Sequence, residues 1–189
     1  MDKLTVELIP KTCWWSSVRA MVTPTQWDKI RKISYTNADN KCEICGENGI
    51  KQGYKHNVEC HEIFDFDMDT KIQKLVSLIS LCPKCHFTKH IGRAMVMGRQ
   101  QLCFKQLARV NKWTPEQIRI HVEEAFLTYH ERSLYEWTLD ISLLNKDPYK
   151  LNLDLGKTRI FEVKKYKKKK KKKKIITKLK IKSKKPPKK

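Results

Sequence analysis

The first apolar run of the chain, LTVELIP at residues 4–10, predicts a short extended piece that Pro10 stops. In TPTQWDKIRKISY, Thr23 stands at an N-cap position, Pro24 at the first helical position and Gln26 three residues after the cap, which together announce a helix start. Trp27, Ile30 and Ile33 then recur at helical spacing and supply its core face. The stretch 41–66 is dense in Gly, Cys and β-compatible residues and predicts a turn-rich β-hairpin. A mostly apolar run, IQKLVSLIS, leads into LCPKCH, with Pro83 as a turn and a helix starting near Cys85 that carries HFTKHIGRAM.

A further helix is expected over 97–110, where Cys103, Leu107 and Val110 share a face. Thr114, Pro115 and Gln117 repeat the earlier start signature, and Ile118, Val122, Ala125 and Tyr129 follow at helical spacing. Trp137 to Leu144, WTLDISLL, is apolar enough to close the core. These elements divide the chain into an N-terminal extension and helix (1–40), a central core (41–97), a C-terminal helical extension (98–150) and a linker with a tail (151–189).

Charge changes the picture at the C-terminal end. The net charge is +21, but 17 lysines and no acidic residue follow from Lys164 onward, so residues 1–163 keep 24 basic against 20 acidic groups. The tail is low in complexity and self-repelling, and is expected to be disordered when unbound. Within it Lys167, Lys168, Lys169, Lys170, Lys171, Lys172, Lys173 and Lys174 are consecutive. Such a run neutralises phosphates and releases counterions, binding nucleic acid without reading its sequence.

MDKLTVELIPKTCWW breaks with Glu7, Pro10 and Lys11 and does not read as a signal peptide. No window approaches the roughly 18 apolar residues of a membrane span. An intracellular, cytoplasmic protein is expected, with no membrane partner and no organic cofactor. In a reducing compartment, paired C-x-x-C spacings point to metal rather than to disulfides.

Cys42 and Cys45, with Cys82 and Cys85, form two such pairs separated by 36 residues. Four thiolates around a tetrahedral Zn²⁺ make a closed structural site, and the two-residue spacers let each pair fold as a knuckle. The C-P-K-C-H segment also has the spacing of a covalent haem attachment, but that chemistry belongs to exported proteins. Three of the six histidines lie in the same framework: His61 between the knuckles, and His86 and His90 one helical turn apart after the second. On a helix His86 and His90 point the same way and can ligate one ion. Asp65, Asp67 and Asp69 in DFDMD suggest calcium, yet an EF-hand loop starting at Asp65 would need Gly and Glu where Thr70 and Val76 stand. A solvated turn is expected there instead.

C-x-x-C, an E-x-H strand and then LCPKCHFTKH resemble the HNH endonucleases, in which a β-hairpin and a following helix clasp one divalent cation beside a structural zinc. TCWWSSVR, SLISLCPKCHFTKHIGRA and LARVNKWTPEQ through WTLDISLL extend the likeness to a bacterial and phage-borne subgroup over roughly residues 4–145. The resemblance implies an α+β fold with a ββα-metal core. It further implies metal-dependent hydrolysis of DNA, with 5′-phosphate and 3′-hydroxyl products, and His86 and His90 as ligands of the catalytic ion. In VECHE two registers stay open: His61 as ligand with Glu62 at the general-base position, or Cys60 and His61 as the pair with His61 as base. The family's Asn nine residues before the helix histidine is replaced by Ser77. Borderline nitrogen ligands admit Mg²⁺, Mn²⁺, Ni²⁺ or Zn²⁺ as the ion. The competing reading is a zinc-stabilised nucleic-acid-binding protein without catalysis.

Overall fold

The computed structural model describes residues 3–154; the lysine run Lys167 to Lys174 lies outside the described residues. Among the described residues the fold is mixed α+β, with six helices and one three-stranded sheet. A 3-10 turn at Lys11–Cys13 leads to α1 (Val18–Met21) and α2 (Pro24–Asn37). A second 3-10 turn, Ile50–Gln52, precedes β1 (Glu59–Asp67) and β2 (Ile72–Leu81). Then follow α3 (Pro83–Lys89), α4 (Ile91–Val96), α5 (Gln100–Asn111), α6 (Pro115–Arg132), β3 (Thr138–Asp140) and a last 3-10 turn, Ser142–Asn145. No described helix is long and apolar enough to cross a membrane.

Both capping boxes form as the sequence predicts. The Thr23 and Thr114 hydroxyls accept from the backbone N–H groups of Gln26 and Gln117, and each Gln side chain accepts from its cap's N–H. Of the expected α2 face only Ile30 is fully enclosed, and it shares that face with Ser34, whose hydroxyl meets that of Ser80 on β2 at 2.8 Å.

The hairpin differs from its sequence boundaries. Residues 41–58 fold into turns, and the two strands are Glu59–Asp67 and the apolar run Ile72–Leu81, paired antiparallel from Glu59 with Leu81 to Asp67 with Ile72. The register shifts where Ile63 faces Ser77 and Phe64 faces Leu75, so Val76 is the extra residue of a β-bulge. Before it the buried positions of β2 are Gln73 and Leu75; after it they are Leu78 and Ser80, with Leu81 also buried at the strand's end. The bulge therefore moves the inward face by one residue, and this is why the run reads as continuous rather than alternating. The hairpin turn carries the DFDMD segment, where the Asp67 carboxylate accepts from the N–H groups of Asp69 (2.9 Å) and Thr70 (3.1 Å). Short β3 lies parallel to β2, and Trp137 before it packs edge-on against Phe66.

The expected single helix after LCPKC is two helices. α3 begins at Pro83, capped by Cys82, and ends at His90, whose φ of −94° and ψ of 46° leave the helical region. The break lets Ile91 and Ala94 of α4 enter the core. That core gathers Leu4 and Val6, Cys42 and Ile44, Leu81, Cys82 and Cys85, and Leu107, Ile118 and Val122 of α5 and α6. The segments on either side of the hairpin thus contribute to one apolar cluster, and the cysteine knuckles sit inside it.

Candidate metal centres

The first knuckle is shaped by a Gly46 backbone at φ 73°, with its N–H donating to the Cys42 carbonyl at 2.8 Å. Glu43 ties this knuckle to β2, since its backbone N–H donates to the Ser80 carbonyl (3.0 Å) and its carboxylate accepts from the Ser80 N–H (2.6 Å). The second knuckle is the start of α3, where the His86 N–H donates to the Cys82 carbonyl. The four sulfurs of Cys42, Cys45, Cys82 and Cys85 lie within 4.8 Å of one another, with Cys45 and Cys82 3.6 Å apart. A tetrahedron of sulfurs about 2.3 Å from Zn²⁺ has edges of roughly 3.8 Å, so the cluster fits a structural zinc site. Gln106 of α5 donates its amide N–H to the Cys85 sulfur at 3.1 Å, the kind of outer contact that settles a thiolate on its metal. This polar residue on an apolar helix face has its partner 21 positions away in sequence, and nothing local signals it.

The second cluster is built from β1 and α3. Ring centres are 5.2 Å apart for His61 and His86, 5.0 Å for His61 and His90, and 4.8 Å for His86 and His90. One ring nitrogen from each lies within 4.8 Å of the others, and Nε2 of His86 and Nε2 of His90 are 3.2 Å apart. Although α3 ends at His90, the one-turn relation between these two histidines is kept.

One ring nitrogen of each of two histidines is held by a carboxylate. His61 donates from Nε2 to Glu7 at 2.9 Å, and His86 donates from Nδ1 to Glu59 at 2.5 Å. Glu59 also meets His56 at 2.9 Å, and Glu7 pairs with the buried Lys89 at 2.5 Å. The His86 pairing leaves its Nε2, the nitrogen next to His90, to face the cluster, and the His61 pairing leaves Nδ1 as the nitrogen without a proton. Burial pushes the His90 imidazolium down to about 3, helped by the neighbouring His61 and His86. Burial lowers His61 as well, against the pull of Glu7. Burial alone would raise Glu7, but the hydrogen bond from His61 and the charge of Lys89 prevail and hold it at about 2. Burial thus favours the neutral form of His61 and His90, the form in which an imidazole ligates a divalent ion.

The depressed His90 has a consequence for stability. The unfolded chain takes up that proton near pH 6.5 and the folded chain only near 3, so stability present above 6.5 is lost progressively as pH falls towards 3. Without added divalent cation, the urea midpoint of the wild type should fall between pH 7 and 5 more steeply than that of a His90→Leu variant. Parallel pH profiles would contradict this.

β1 alternation decides where the VECHE residues go. Glu59 and His61 share the face towards α3, whereas Cys60 and Glu62 face the other way. Glu62 is therefore not brought into the histidine cluster. Its carboxylate accepts from the Val18 N–H at 2.7 Å and caps α1, and burial raises its pKa. The Cys60 thiol is pushed up to about 12 by burial beside Ser34 of α2. Ser77 pairs with Ile63 next to the bulge. Glu59 could have been found from the sequence, since i and i+2 on a strand share a face. Glu7 could not, because 54 residues separate it from His61. Compared with family models, with curated proteins and with solved structures, the chain finds no match.

Proposed function

We propose that the protein is a metal-dependent endonuclease that hydrolyses DNA phosphodiester bonds at the His61, His86 and His90 cluster, on an HNH-type ββα core. The observation that carries this reading is the set of three convergent ring nitrogens on a hairpin and the helix that directly follows it. A divalent cation held there supplies a Lewis acid for a scissile phosphate oxygen and for the departing 3′ oxygen. His61, His86 and His90 bind the ion, and Glu59 and Glu7 orient two of the three rings. Glu62 would have to release the Val18 amide to act as base, so its role in this reading is to hold α1 against β1. The tail lysines add phosphate contacts that concentrate the protein on nucleic acid without choosing a sequence.

The orientation of Glu62 away from the cluster is also what favours the second reading, a zinc-stabilised nucleic-acid-binding protein that does not cut. Product chemistry separates the two. Plasmid nicked by the full-length chain should be closed directly by a DNA ligase, because the ends are 5′-phosphate and 3′-hydroxyl; nicks that need end repair count against this cleavage chemistry, and no nicks against the nuclease. Removal of residues 164–189 should flatten the dependence of DNA affinity on salt, measured by anisotropy of a labelled duplex. An unchanged slope would show that the lysines make no phosphate contacts.

A further inference from the structure

We propose that Glu7 is a positioning residue for the histidine cluster, delivered from outside the hairpin and helix by residues 3–10, which act as a strap across α3, α5 and α6. The proposal rests on reading His61, His86 and His90 as an ion site. The strap alternates as an extended chain does. Leu4 and Val6 are buried in the core, while Thr5 and Glu7 turn to the opposite side and meet Lys89. Its backbone is held at three places. Leu4 exchanges hydrogen bonds with the Asn111 side chain at 2.8 and 2.7 Å, Val6 donates to Nε2 of His121 at 3.0 Å, and Glu7 donates to the Lys89 carbonyl at 2.8 Å. The carboxylate is thus fixed by α3, α5 and α6 before it touches His61.

Lys89 is 4 % exposed, and an ammonium so enclosed is costly without a partner. Glu7 answers it with one oxygen and accepts the hydrogen bond from His61 Nε2 with the other. A carboxylate in that place sets which ring nitrogen is free, fixes the plane of the ring and makes it a stronger donor to an ion. Removal of such an outer partner costs about 10–100-fold in metal affinity.

A purely structural role for Glu7, that of neutralising Lys89, makes a different prediction. The test is a cobalt(II) titration of the full-length chain carrying zinc in its cysteine site, read by the visible absorption of the histidine-bound ion. Glu7→Gln should weaken cobalt binding by about 10–100-fold. Because that variant strands Lys89, the double variant Glu7→Gln/Lys89→Met is measured beside it. Removing both charges should bring the urea midpoint back towards wild type while cobalt affinity stays low. Wild-type affinity in Glu7→Gln, or its return in the double variant, would overturn the positioning role and leave the ion site standing. Absence of any second ion in the wild type would overturn the ion site as well.

Discussion

The Cys85→Ser variant is expected to lose both its zinc and its cooperative fold. Cys85 is fully enclosed, and its sulfur lies in the same apolar cluster as Leu81, Leu107 and Ala94. Binding of a structural zinc is worth about 10–16 kcal/mol at neutral pH, while a domain of this size has a net stability of roughly 5–15 kcal/mol. Loss of a ligand therefore removes a contribution as large as the whole margin. A serine hydroxyl does not replace the thiolate, and it leaves the Gln106 amide and three thiols to be satisfied without a cation. Far-UV circular dichroism on heating should show a broad or absent transition, and zinc content should fall well below one per chain. Cys13→Ser is the control. That thiol is also buried, with its pKa pushed up to about 11 by burial, but it lies outside the cysteine cluster and should leave the zinc in place. A Cys85→Ser protein that melts as wild type does would remove zinc from the account of the fold.

The His90→Ala variant is expected to reduce plasmid nicking by at least about 10³-fold, equivalent to roughly 4 kcal/mol of transition-state stabilisation, with the fold and the zinc retained. His90 is the cleanest of the three to remove because its ring pairs with His86 rather than with a carboxylate. Removing His61 would strand the Glu7 and Lys89 pair, and removing His86 would release Glu59. Glu62→Gln supplies the contrast. An amide oxygen still accepts from the Val18 N–H, so that variant should stay within about tenfold of wild type in cleavage. If instead Glu62→Gln is as inactive as His90→Ala, Glu62 leaves its cap during the reaction and serves as the base.

The parts of the fold that rest on short-range spacing were legible in the sequence. The two capping boxes, each C-x-x-C pair and the His86 and His90 pair follow from neighbours within one turn or one knuckle. The hairpin boundaries were not, because the Gly and Cys density of 41–58 reports turns, and the bulge at Val76 cancels the period-2 pattern of the true second strand. The break at His90 has no local signal, since IGRAM continues in residues that a helix accepts. Of the adjacent residues His61 and Glu62 only His61 joins the cluster, because strand alternation assigns neighbours to opposite faces. Glu7 and Gln106 act across long separations, where only tertiary packing decides which side chains meet.

Nicking of supercoiled plasmid by the full-length chain, freed of loosely held cations and then titrated with Mn²⁺, tests the proposed function most directly. The expected result is no open circle without the ion, a signal that saturates at one added ion per chain beyond the structural zinc, and a rate lower by at least about 10³-fold with His90→Ala at every concentration. Nicking that is independent of added cation, or that proceeds near the wild-type rate in His90→Ala, would contradict a cutting site at this cluster, as would the absence of nicking with Mg²⁺, Mn²⁺, Ni²⁺ and Zn²⁺ alike.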